Sequence, residues 1–148
     1  MQPMKPVNTI VCAVRGGKAS EPTAERATAL ARESSARLIF LYVIDADFLG
    51  HATVGRPSVT MTQLKHMAEF ILLTIRARAE EQGVPADCAV REGKVREQIR
   101  AFVIEQSADT VVMGKPTHQA ESDLFTHPEQ DTFIRELEEE IGAQVILV

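Results

Sequence analysis

The chain is poor in aromatic residues, cysteine and basic charge, and each shortage excludes a class of protein. It has no tryptophan and one tyrosine among 148 residues, so a core must be built from aliphatic side chains and methionine. Two cysteines, Cys12 and Cys88, are too few for a secreted disulfide framework. Both fall in predicted strands, and we expect buried, reduced thiols. A net charge of −5, without a run of lysine or arginine, argues against a nucleic-acid partner.

Long hydrophobic runs are also missing. No segment approaches the 18 or more apolar residues of a membrane span, and the first residues lack the apolar stretch of a secretory signal. We therefore expect a cytoplasmic protein without membrane association. The length predicts a single domain over residues 1–148.

Short apolar segments predict five strands. Most are continuous apolar runs, typical of parallel strands that are covered on both faces, whereas the third alternates and is expected at an edge. The predicted strands are Asn8–Val14, Leu38–Ile44, about Asp87–Arg91, Thr110–Met113 and Gln144–Val148.

Helical periodicity fills the intervals between these strands. The first helix is predicted to follow Ser20 as its N-cap, with Glu21 and Pro22 in the first turn and small apolar residues at helical spacing over Thr23–Ser35. The second is predicted over about Val59–Gln82, followed by Gly83. The predicted buried face of the second helix is Leu64, Met67, Ala68, Ile71, Leu72, Ile75 and Ala79. The remaining helices are Val95–Gln106 and a last helix that carries Phe133, Ile134, Leu137 and Ile141 and ends at Gly142.

This alternation of strands and helices predicts an α/β fold, a doubly wound, Rossmann-like parallel sheet of five strands with four helices on both faces. In such a sheet, ligands bind at the carboxyl ends of central strands. The strand Thr110–Met113 leads into Gly114, where we expect the chain to turn or to approach another element closely.

Several segments resemble segments of the universal stress protein family, in the same order along the chain, and together they span the whole chain. The closest match is Ser107–Gly114, and the opening strand, Ala24–Ala31, Gly83–Pro85 with Val90–Gly93, and the closing strand are also similar. The resemblance implies the strand order 3-2-1-4-5. It also implies a homodimer formed through the last strand, here Val145, Ile146, Leu147 and Val148.

Nucleotide-binding members of that family carry a glycine signature after the fourth strand, whose backbone amides can surround phosphates. Only Gly114 is kept here; Thr117 replaces the second glycine, and Pro116 beside it lacks an amide hydrogen. Alignment backward from the C-terminus places Asp131 and Thr132 at the last signature positions. We therefore expect no cofactor, with ATP and AMP disfavoured.

The charges in the loop after the fourth predicted strand also disfavour nucleotide binding. Glu121, Asp123 and Glu129 surround this loop, and Lys115 opposes them. Two like charges about 4 Å apart repel by roughly 1 kcal/mol in water and by more at lower dielectric. Where the family's first strand usually ends in an aspartate on the adenine side, this chain has Arg15.

Other chemistry finds little support in the sequence. Nucleophile-elbow, Cys-x-x-Cys and P-loop patterns are absent, and no catalytic residue is predicted. His118 and His127, with their acidic neighbours, match no compact ligand spacing, so no metal site is predicted. In the acidic last helix, Arg135 and Glu139 are expected to form an i,i+4 ion pair.

Two hypotheses follow. The first is a non-catalytic universal-stress-type protein that acts in stress response through homodimerisation and contacts with other proteins. The second is a sensor of adenine nucleotides or another small ligand, bound at the carboxyl ends of strands 1 and 4. Its candidate pocket residues are Val14, Arg15, Val43, Met113, Gly114, Thr117 and Thr132.

Overall fold

The computed structural model describes residues 6–15, 20–45, 60–115 and 127–148. Five parallel strands form one sheet in the order β3-β2-β1-β4-β5, which confirms the predicted fold class and strand order. The elements are β1 (Thr9–Ala13), α1 (Ser20–Ser34), β2 (Arg37–Ile44), α2 (Met61–Glu81), β3 (Ala86–Glu92), α3 (Val95–Gln106), β4 (Thr110–Met113), α4 (His127–Arg135, continued by a π-helical segment, Glu136–Ile141) and β5 (Gln144–Leu147).

The core has two layers, one on each face of the sheet, because side chains alternate along a strand. On β1, Ile10 and Cys12 pack beneath α1 and α2, whereas Val11 packs beneath α3 and the C-terminal helix. All three are fully buried, as a continuous apolar run in a central parallel strand predicts.

Local signals set the ends of α2. Thr60 begins the helix with a capping box, in which its hydroxyl accepts the Gln63 amide and the Gln63 side chain accepts the Thr60 amide. At the other end, Gly83 adopts φ +81° and its amide bonds to the Glu80 carbonyl, so the predicted C-terminal glycine is confirmed.

Both cysteines are free, as predicted, but they differ in burial. Cys12 is fully buried, and this burial raises the pKa of its thiol far above the ordinary range. Cys88 is only half-buried, and desolvation again raises its pKa.

The predicted i,i+4 pair in the last helix is wrong. Residues from Glu136 to Ile141 are π-helical, and in this wider spiral positions four apart are no longer stacked. Arg135 and Glu139 form no ion pair in the described part of the chain, whereas Glu140 reaches α3 and lies 3.1 Å from Arg100.

One residue of the predicted buried face of α2 is also misplaced. Met67 is 59% exposed, because the side of α2 that faces the sheet is centred on Ala68, Leu72 and Ala79. Met67 lies instead at the margin, where Phe70 and Leu73 continue an apolar strip.

Candidate functional site

The sheet reverses its direction of winding between β1 and β4, which makes their carboxyl ends the topological switch point of the fold. Parallel pairing sets Cys12 beside Val112. The same register brings Val14 level with Gly114, one strand position beyond the end of each strand. The sequence therefore predicts correctly which two strand ends come together.

Of the two alternatives predicted for Gly114, a turn or a close approach to another element, the structure shows the close approach. Hydrogen bonding with the C-terminal strand continues past Gly114: the Val148 amide bonds to the Met113 carbonyl at 3.0 Å, and the Lys115 amide bonds to the Val148 carbonyl at 3.0 Å. The φ of Gly114 lies outside the left-handed region, and an added Cβ would meet Thr23 Oγ1 at 3.4 Å. The glycine is held in extended backbone beside α1, not in a tight turn.

The two amides after β4 point in opposite directions, because successive N–H groups alternate in extended backbone. The Lys115 amide faces β5 and is already bonded there. The Gly114 amide therefore faces β1, and none of the described residues accepts it.

Arg15 and Ser20 join the end of β1 to the start of α1. The Arg15 amide donates to Ser20 Oγ at 2.8 Å, and the Ser20 hydroxyl donates to the Arg15 carbonyl. Ser20 thus lies inside the helix and binds the preceding strand end, so its predicted role as N-cap of α1 is wrong. The Arg15 side chain is exposed at the same edge.

The other predicted pocket residues lie on both faces of the sheet. Val43 and Met113 contact the core layer beneath α3 and the C-terminal helix, whereas Val14 is buried in the opposite layer. Thr132 is exposed on α4, and Thr117 lies outside the described residues. The structure thus brings Val14, Arg15 and Gly114 together at the carboxyl ends of β1 and β4. Ligand binding at any of these residues stays a prediction.

Among the described residues at this edge, the acidic residue that ends β3 has an ion-pair partner. At the end of β3, Lys65 Nζ lies 2.6 Å from Glu92 Oε1, so that carboxylate is compensated. Across residues 6–15, 20–45, 60–115 and 127–148, no three His, Cys, Asp or Glu side chains are grouped so as to hold a metal ion. His118, Glu121 and Asp123 fall outside those ranges.

Next to β4, the strand β5 forms one edge of the sheet. The amides of Gln144 and Val148 bond to β4, so by alternation the N–H and C=O groups of Val145 and Leu147 point away from the sheet. The side chains from Val145 to Val148 are half-buried. Within the described residues, no strand pairs with this outer edge.

The sequence did not predict a groove of about 550 Å³ between α1 and α2. Its floor includes Ala24, Ile71 and Ile75, and Phe70 forms part of its wall. One sequence signal was available: apolar residues of α2 spread beyond a single face, with Phe70 and Leu73 outside the predicted buried set.

Comparison with known proteins decides the family. The model of the universal stress protein family matches residues 6–139. The chain belongs to the universal stress protein family. A curated universal stress protein of Methanocaldococcus jannaschii is 30% identical over 106 residues, which cover 71% of this chain and 62% of that protein. The match thus spans less than two thirds of the relative's length.

Solved structures agree on the fold of this universal stress protein. A family member from Burkholderia pseudomallei superposes with a TM-score of 0.69 at 20% identity, covering 99% of this chain and 98% of the other. A universal stress protein in complex with cAMP gives 0.68 at 18% identity, with coverage of 97% and 98%. One from Archaeoglobus fulgidus in complex with dAMP gives 0.64 at 16% identity, also with coverage of 97% and 98%.

No helix among the described residues is both long enough and apolar enough to span a bilayer.

Proposed function

We propose that this universal stress protein is non-catalytic and acts in stress response by forming a homodimer through β5 and by contacting other proteins, without tight binding of ATP. The proposal is carried by one observation, the open outer edge of β5. The absence of recognised catalytic motifs from the sequence supports the non-catalytic part.

An antiparallel pair of β5 strands would satisfy this edge. About a twofold axis at Ile146, Val145 of one protomer lies opposite Leu147 of the other, and each such pair exchanges two backbone hydrogen bonds. The half-buried Val145 and Leu147 side chains would then continue the apolar layer beneath α3 and the C-terminal helix across the axis. An unpaired apolar edge strand is otherwise a site of uncontrolled association.

The backbone after β4 supports the part of the proposal that excludes tight binding of polyphosphates. A phosphate cradle needs successive amides that converge on one anion. The Gly114 and Lys115 amides diverge, and that of Lys115 is already bonded to Val148. In the sequence, Pro116 contributes no donor, and acidic residues follow.

A small-ligand sensor is the second candidate. Two structures of the same fold are named as complexes with cAMP and dAMP. In this chain, the Gly114 amide, which none of the described residues accepts, and the exposed Arg15 side chain lie at the switch point, where an anionic or hydrogen-bonding ligand of modest size would bind.

Two measurements on the full chain separate these functions. Sedimentation equilibrium at micromolar concentration is expected to give a dimer, and a monomer would contradict the first proposal. Titration calorimetry with ATP, ADP, AMP and cyclic nucleotides is expected to give no heat of binding at micromolar concentration. Micromolar or tighter binding would favour the sensor, with Arg15→Gln as the variant expected to weaken it and Arg96→Gln, exposed on α3, as the charge-matched control.

A further inference from the structure

The groove between α1 and α2 lies away from β5 but borders the switch point, because Arg15 and Ser20 are among the residues that line it. Its walls run from Ser20 to Thr28 on α1 and from Phe70 to Gln82 on α2. The α2 wall spans 12 residue steps, which at 1.5 Å per residue is about 18 Å. A groove of this length matches about three turns of a docked helix.

The wall of α2 has an unusual apolar surface. Phe70 is 72% exposed, and Met67 and Leu73 are 59% and 51% exposed. Residues at spacings of three and four form one strip on a helix, so these side chains extend the apolar floor of the groove onto its outer lip. Contiguous apolar surface of this kind marks sites of interaction with proteins.

The charges on the rim indicate what the partner carries. Arg78 is paired with Glu21 at 3.5 Å, so this pair, which crosses the groove, is internally compensated. Arg15, Glu25 and Glu81 also line the groove, and neither glutamate forms an ion pair within the described residues. The lining thus carries three glutamates against two arginines, a net charge of −1. The net charge of the whole chain is −5, which steers basic partners towards it.

We infer that this groove binds a basic amphipathic helix of a partner protein. Apolar side chains of that helix, at i, i+3 or i+4, and i+7, would contact Phe70, Ile71 and Ile75, while flanking lysine or arginine residues would face Glu25 and Glu81. The inference rests on the proposed function, because it supplies the kind of protein contact through which a non-catalytic protein acts.

The test uses the full chain and a fluorescein-labelled synthetic peptide of about 14 residues, about four helical turns, with leucines on one face and lysines beside them. Anisotropy titration is expected to give saturable binding at micromolar concentration. A peptide with every lysine replaced by glutamate is expected to bind at least about tenfold more weakly, since it meets the acidic rim. Equal binding of the two peptides, or no saturable binding of the basic one, would overturn the inference.

Variants locate the site. Phe70→Ala is expected to weaken binding at least about tenfold, as truncation of an aromatic residue that a partner covers does. The double variant Glu25→Gln with Glu81→Gln is expected to weaken binding of the basic peptide and not binding of the acidic one. Ile104→Ala is the matched control, because Ile104 is 55% exposed but lies on α3, on the opposite face of the sheet. Equal losses in Phe70→Ala and Ile104→Ala would show nonspecific apolar binding and overturn the inference.

Sedimentation of the same variants keeps this inference distinct from the proposed dimer. Phe70→Ala is expected to leave the oligomeric state unchanged. A shift from dimer to monomer in that variant would show that the groove face joins two copies of this chain, and the inference would be wrong. Loss of peptide binding with an intact dimer would instead leave the β5 proposal standing.

Discussion

The proposed dimer edge predicts that a single proline in β5 weakens association while preserving the protomer. In Leu147→Pro, the lost amide hydrogen is one that points away from β4, so no hydrogen bond inside the sheet is broken. A twofold pair loses two such donors. At about 1 kcal/mol for each hydrogen bond, the dimer is weakened by about 2 kcal/mol, or about 30-fold in its dissociation constant.

Sedimentation equilibrium over a concentration series measures this change, and two variants control it. Leu147→Ala removes the same packing against the core layer but keeps the amide, so it is expected to dimerise more tightly than the proline variant. Ile146→Pro removes an amide that faces β4, so it is expected to lower the free energy of unfolding of the protomer itself. Equal dissociation constants for Leu147→Pro and Leu147→Ala would refute the edge-pairing geometry.

Other predictions concern stability and thiol chemistry. The Phe133 side chain is 1% exposed, so Phe133→Ala is expected to lower the free energy of unfolding in urea by about 3–5 kcal/mol. The Phe70 side chain is 72% exposed, so Phe70→Ala should change that free energy by less than about 0.5 kcal/mol. Equal losses in the two variants would contradict the assigned core. Gly83→Ala, at φ +81°, is expected to cost about 1–2 kcal/mol, and an unchanged melting temperature would contradict that backbone conformation. Because Cys12 is fully buried and burial raises the pKa of its thiol, Cys12 should not react rapidly with a disulfide reagent at pH 8 until urea unfolds the chain. Fast reaction of Cys12 in the folded protein would contradict its burial.

The parts of the fold predicted from the sequence are those that a strong local pattern determines. Thr110–Met113 and Val95–Gln106 have the predicted bounds, because a β-branched apolar run and a clear helical period leave few alternatives. The glycine at position 83 has the left-handed conformation that a helix end requires. The resemblance to universal stress proteins, confirmed by the family match, implied the strand order correctly.

What the sequence predicted wrongly depends on tertiary contacts. Serine is a preferred N-cap residue, but the Ser20 hydroxyl bonds to the backbone of Arg15, five residues earlier in the chain. The π-helical segment that separates Arg135 from Glu139 has no period that a short sequence window reveals. At Gly114 the sequence left a turn and a close approach open, and only the contacts with β5 and Thr23 decide for the close approach.

The groove between α1 and α2 was missed for a related reason. Periodicity identifies the side of a helix that is apolar, but not how much of that side the neighbouring helix covers. On α2, Met67 fits the buried period and is nevertheless 59% exposed, because it lies at the margin of the buried side, which is centred on Ala68, Leu72 and Ala79.

The nucleotide content of the purified, untreated protein tests the central claim most directly. With no tryptophan and one tyrosine, the chain absorbs little, so nucleotide released on denaturation is read at 260 nm with little interference. The account predicts no adenine nucleotide in the released fraction. One equivalent of nucleotide per chain would contradict it.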